Sequence, residues 1–110
     1  MIVSVDEKNF EQEVLNSDKP VFVDCYAEWC SPCQTLKPVL EKFELNNSEK
    51  VKVAFMNIDN CPNLALTFRI SSIPKVLVFL NGKKETSVEG LNTQKTYQSI
   101  LDGLIESSVI

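Results

Sequence analysis

The sequence predicts an α/β domain in which a mixed sheet of five strands carries four helices on its two faces. Three observations predict it. Residues 21–27, 51–58 and 75–80 are apolar runs rich in valine, isoleucine and phenylalanine, the content of strands buried on both faces. The segments beside them repeat their apolar residues at helical spacing, as in Leu36, Val39, Leu40 and Phe43. Finally, Asn81-Gly82 is the dipeptide of a tight type I′ hairpin, which adds an antiparallel edge to an otherwise crossover-linked sheet. At 110 residues the chain is about the modal size of one domain, so residues 1–110 are expected to form a single unit with its own core.

The elements follow in order. Ile2-Val3-Ser4-Val5 suits a short strand, and Asp6 is placed to cap a helix with Phe10, Val14 and Leu15 on one face, ending at Asn16-Ser17-Asp18 before Pro20. Val21 to Ala27 is a buried strand interrupted by one carboxylate, Asp24. A helix starts at Ser31; Pro32 lies in its first turn, where a missing N–H costs nothing, whereas Pro38 lies inside the pattern and predicts a kink. Val51 to Ile58 is the next strand, and Asp59-Asn60-Cys61-Pro62 reads as the cap and first turn of a short helix carrying Leu64 and Phe68. Lys75 to Leu80 is a strand whose hairpin partner, Lys84 to Glu89, stops at Gly90. Asn92 or Thr93 opens a last helix with Tyr97, Ile100, Leu101, Leu104 and Ile105 along one stripe. Phe22, Phe43, Phe55, Phe68 and Phe79 are expected in the core.

Composition narrows the chemistry. Fifteen acidic against 11 basic residues, with the lysines and arginine scattered, argue against a nucleic-acid or anionic-membrane partner. Histidine is absent, which removes histidine bases, Cys/His pairs and histidine-ligated metals. No basic-then-apolar leader and no apolar run of about 18 residues occurs, so a soluble, cytoplasmic protein is expected. In that reducing compartment four cysteines are not a disulfide framework, and each requires its own explanation.

Cys30-Ser31-Pro32-Cys33 is the centre of interest. Six cysteine pairs in a chain of this length give a C-x-x-C by accident in about one sequence in ten, so the spacing alone is weak and context decides. The context is a strand ending near Ala27 and a helix starting near Ser31, which sets Cys30 at a helix N-terminus. Unpaired N–H groups and the helix dipole there favour an anion by about 0.3 to 2 kcal/mol, and hence a thiolate. Cys33 lies one turn further in on the same side, close enough for a disulfide and less exposed. Position therefore divides the labour: Cys30 attacks and Cys33 resolves. Lowering a thiol from about 8.5 to about 7 raises its thiolate fraction at neutral pH roughly 16-fold but costs about 6-fold in nucleophilicity, a net gain of about threefold. Most of the rate must come from docking and from the high effective molarity of the second thiol.

Asp24 is the second feature. A carboxylate within a buried strand is costly unless it is paired or protonated, so desolvation is expected to raise its pKa. Counting back from the strand end places it beneath the first turn of the following helix, where it would take a proton from Cys33 directly or through one water. A structural aspartate satisfied by backbone or hydroxyl donors is the alternative. Cys25 points to the opposite face and is expected to pack in the core, and Cys61 is expected to be partly exposed, either inert or open to oxidants. Lys75 is expected to be solvated, with a role in favouring acidic partners as the alternative. A zinc site from Cys25, Cys30, Cys33 and Cys61 is disfavoured because only one clustered pair exists.

Val23-Asp24-Cys25-Tyr26-Ala27-Glu28-Trp29-Cys30-Ser31-Pro32-Cys33, Ile73-Pro74 and Phe79-Leu80-Asn81-Gly82-Lys83 together resemble the active-site segment, the cis-proline loop and the hairpin of the thioredoxin family, over nearly the whole chain. The resemblance implies the thioredoxin fold with strand order 1-3-2-4-5, Cys30 as nucleophile, Cys33 as resolving thiol and Asp24 as buried acid/base. It also implies a substrate groove of Trp29, the Ile73 backbone, cis Pro74 and Gly90, with Ser31 and Pro32 beside the reacting sulfur. Exposed backbone at Ile73 would hold an extended chain by strand-like hydrogen bonds that tolerate many side chains. The implied activity is general protein dithiol/disulfide exchange by a monomer that needs no cofactor beyond the Cys30–Cys33 disulfide, acting on disulfide-containing proteins and recycled by a thioredoxin reductase. A binding subunit whose groove holds a partner, with incidental redox chemistry, is the alternative. Three residues depart from the family pattern: Ser31 for a glycine, Gln34 for a basic residue, and Phe55 for the lysine that usually neighbours the buried aspartate. Loss of that lysine is expected to remove a nearby cation and widen the pH range over which Asp24 is protonated. Ser31 is expected to donate its hydroxyl to the Cys30 thiolate.

Overall fold

The computed structural model describes residues 1–108. Five strands, β1 (Ile2–Val5), β2 (Val21–Tyr26), β3 (Lys52–Asn57), β4 (Lys75–Leu80) and β5 (Lys83–Glu89), form one sheet in the order β1-β3-β2-β4-β5. β1, β3 and β2 run parallel, and β4 and β5 are antiparallel to their neighbours. The helices are α1 (Ser31–Asn46), α2 (Pro62–Thr67) and α3 (Gln94–Ser108), with a π-helical turn at Glu11–Leu15 in the place of the first expected helix.

That first helix departs from α-geometry for a visible reason. The Asp6 carboxylate accepts from the N–H groups of Lys8 and Asn9, as a cap does, but Asn16 N–H then reaches five residues back to the Glu11 carbonyl. The wider turn lets the adjacent residues Val14 and Leu15 both lean on the sheet. α1 runs through Pro38 as one element. The hairpin at Asn81-Gly82 has positive φ at both residues, 52° and 79°, as a type I′ turn requires.

The pleat of β2 separates two cores. Phe22 faces the side covered by α1 and α3, where its ring lies 4.9 Å from Phe43 and 6.3 Å from Tyr97. Val21, Val23 and Cys25 face the other side, closed by the π-turn and α2, where Phe10, Phe68 and Phe79 form a second triad with centroids 5.5–5.7 Å apart. Each fully buried ring contributes about 1.5–3 kcal/mol of transfer free energy. These clusters fix the helices on the central strands, and β2 delivers its C-terminal end to the start of α1.

Candidate active site

β2 ends at Tyr26, and Cys30 becomes the cap of α1 in an extended conformation, with its N–H bonded to the Ala27 carbonyl. Its Sγ accepts from the backbone N–H of Cys33 at 3.3 Å, one of the donors a helix start leaves unpaired. Cys30 and Cys33 are joined as a disulfide with their Cα atoms 5.2 Å apart. Cys30 is 5% and Cys33 2% exposed, so the pair meets solvent along one edge, and Cys33 is the deeper member. Glu28, Trp29, Ser31 and Pro32 surround that edge and are exposed. In this disulfide the donor at Cys30 Sγ is the Cys33 backbone N–H.

Asp24 lies behind the disulfide. It is 1% exposed, its Oδ1 has no hydrogen-bond partner among the described residues, and burial raises its pKa from 3.8 to about 7 against an opposing pull from Lys37. A cavity of about 220 Å³ is lined by Asp24, Cys33, Tyr26, Phe55, Lys37 and Glu41 among others, which gives the carboxyl and the Cys33 sulfur a common space with room for water. With Phe55 in the place of the family's lysine, the cation acting on Asp24 is Lys37 of α1, its Nζ 5.8 Å from the centroid of the Phe55 ring. The sequence held the signal, because Lys37 follows Cys33 by four residues and so shares its helix face. The upward direction of the Asp24 pKa is as expected, and burial, the cause expected from the sequence, is the largest.

Around the rim, Ile73 packs against the cluster of Ala27, Cys30 and Cys33, and the Ile73-Pro74 bond is cis. The Pro74 carbonyl accepts from Gly90 N–H at 2.9 Å, which brings Gly90 to the same end of the sheet. Ile73 itself makes no backbone hydrogen bond among the described residues. Trp29 is 72% exposed, and its indole N–H is pinned by the Asp59 carboxylate at 3.0 Å, a partner that sequence reasoning missed. Lys75 is not solvated as expected: it is mostly buried, and its Nζ lies 3.6 Å from the Glu89 carboxylate across the β4–β5 ladder.

The other cysteines lie on the far side of the sheet. Cys25 is fully buried, with its thiol pushed up to about 12 by desolvation first and the Asp24 charge second. Cys61, expected to be partly exposed, is also fully buried, because the 3₁₀ turn Ile58–Asn60 folds it inward as the cap of α2. Its pKa is raised by burial and then by Glu7 and Asp6. Both thiols are therefore weaker nucleophiles than an ordinary cysteine at neutral pH. Among the described residues no cluster of three or more Cys, Asp or Glu side chains could hold a metal, and no helix is long and apolar enough to cross a membrane.

The family model described as Thioredoxin matches residues 1–103. The chain is 45% identical to a thioredoxin of Rickettsia bellii (strain RML369-C) over 96 residues, covering 87% of this chain and 91% of that one. It is 40% identical to a thioredoxin of Rickettsia felis (strain ATCC VR-1525 / URRWXCal2) over 107 residues, covering 97% and 99%. It is also 40% identical to a chloroplastic thioredoxin M5 of Oryza sativa subsp. japonica over 106 residues, 96% of this chain and 62% of that protein.

Proposed function

The chain belongs to the thioredoxin family and is a protein dithiol/disulfide oxidoreductase, and from that premise we propose the role of each residue in the exchange. The observation that carries the proposal is the Cys30–Cys33 disulfide at the start of α1, with the buried Asp24 carboxyl sharing a cavity with the deeper sulfur.

In the dithiol form the Cys30 thiolate, favoured by the helix start, attacks one sulfur of a substrate disulfide. The substrate S–S bond breaks, one substrate sulfur leaves as a thiolate, and Cys30 is held in a mixed disulfide. Cys33 then gives its proton to the Asp24 carboxylate through the cavity and attacks Cys30 Sγ. The second substrate sulfur leaves and takes up a proton, the Cys30–Cys33 disulfide forms, and two electrons have passed to the substrate. A group with a pKa of about 7 is suited to accept that proton and return it near neutral pH. The substrate chain lies extended against the free backbone of Ile73, between Trp29, Ser31 and Pro32 on one side and Pro74 and Gly90 on the other. The protein acts as a monomeric cytoplasmic reductant on disulfide-containing proteins and is returned to the dithiol by a thioredoxin reductase.

The test is dithiol-driven reduction of a protein disulfide such as insulin's. Cys30→Ser abolishes turnover, and Cys33→Ser accumulates mixed disulfides that release on reduction. Unchanged turnover in the Cys30 variant, or capture by the Cys33 variant that survives reductant, would defeat the proposal.

A further inference from the structure

Lys37 has no part in the exchange as written, yet its place is specific. It is the only cation lining the Asp24 cavity, and it forms no ion pair among the described residues. Its ammonium lies over the face of Phe55, the residue of β3 in register with Asp24, so the ring gives it a seat beside that strand position.

We propose that Lys37 is a positioning residue for the proton: seated on Phe55 at the cavity that joins Asp24 and Cys33, its charge favours the ionised carboxylate of Asp24 in the resolving step. The proposal rests on the reading of Asp24 as the proton acceptor. The balance of charges decides its sign. From α1 the cavity receives Cys33, Glu41 and Lys37; from the loop before α1, Glu28; from β2 itself, Tyr26. α3 places Tyr97 within electrostatic reach of Asp24. The acidic groups all oppose ionisation of Asp24 when charged, and Lys37 alone favours it. Lys37 itself is exposed, so its influence is screened in part, and added salt weakens it further. Burial holds the proton on Asp24; Lys37 loosens it enough for the carboxylate to be present at neutral pH.

The experiment follows the carboxyl carbon of Asp24 by NMR across pH in the full chain, in the parent, Lys37→Gln and Lys37→Arg. Glutamine keeps helix propensity and removes the charge. It is expected to raise the Asp24 midpoint by about 0.5 to 1 pH unit at low salt, and arginine to restore it to within a few tenths. The decay rate of a preformed mixed disulfide at Cys30 is then measured against pH, and its acid limb is expected to move with the midpoint. In an Asp24→Asn background Lys37→Gln is expected to leave that profile unmoved. An Asp24 midpoint unchanged by Lys37→Gln overturns the proposal. A midpoint that moves while the acid limb stays fixed overturns the role of Asp24 in resolution instead, so the two failures are distinguishable.

Discussion

Replacing Asp24 by asparagine measures what the buried carboxyl costs the fold. Its pKa rises from 3.8 to about 7, and at about 1.36 kcal/mol per pH unit the ionised form is disfavoured in the folded chain by about 4 kcal/mol. The unfolded chain releases this proton near 3.8, whereas the folded chain keeps it until about 7. Between those values the folded state binds more protons, so stability falls as pH rises through this window and is level above it. Hydration of a cavity of this size would relieve part of the cost, so about 4 kcal/mol is an upper limit and about 2–4 is the expected span. The asparagine variant lacks this titration. Its stability relative to the parent should therefore climb by that span between about pH 4 and pH 8, on top of a constant offset from seating the amide. Urea denaturation of the oxidised forms at several pH values reads the climb directly. A difference between parent and variant that stays constant with pH would refute the assignment of a raised pKa to Asp24.

Three further outcomes are expected. A Cβ at Gly82 would lie 2.8 Å from the Leu15 carbonyl oxygen, at a φ of +79°, so Gly82→Ala should cost about 2 kcal/mol or more in urea denaturation; a loss under about 0.5 would show that the hairpin yields freely. The Tyr97 hydroxyl is buried without a hydrogen-bond partner among the described residues and burial drives its pKa to about 12, so Tyr97→Phe should be neutral or stabilising by up to about 1 kcal/mol; a clear loss would reveal a bond to that oxygen. In the reduced native protein Cys30 and Cys33 should react with an aromatic disulfide reagent while Cys25 and Cys61 react only on unfolding, and prompt labelling of Cys61, located by mass spectrometry, would contradict its burial.

The order of elements was legible because the apolar runs have strand composition and the turn chemistry at Asn81-Gly82 admits one geometry. The hidden parts depend on bonds between distant residues. Nothing local marks Glu11 to Leu15 as a π-turn; that follows from both Val14 and Leu15 finding core contacts. Cys61 looks like a surface cap until the 3₁₀ turn before it is known, and Lys75 looks solvated until β5 brings Glu89 opposite. At the site, Cys30, Cys33 and Asp24 could be placed by counting from the strand end and the helix start. The Ile73–Pro74–Gly90 rim came from family resemblance alone, since cis geometry has no local spelling. Asp59 and Lys37 escaped because the first meets Trp29 across 30 residues of chain, and the second acts through space over a ring on another strand.

Asp24 and Cys25 share a peptide bond yet inhabit separate compartments, the one lining a cavity with Cys33, the other packed in the apolar core on the opposite face. Sliding β2 by a single position against β3 and β4 would trade their places, setting a thiol beside the resolving sulfur and driving a carboxylate in among Phe10, Val14 and Phe79. Strand alignment is thus itself a chemical specification in this protein. A one-residue deletion between Asn16 and Pro20 that was absorbed by such slippage would take the carboxyl out of the cavity it shares with Cys33 without altering either residue.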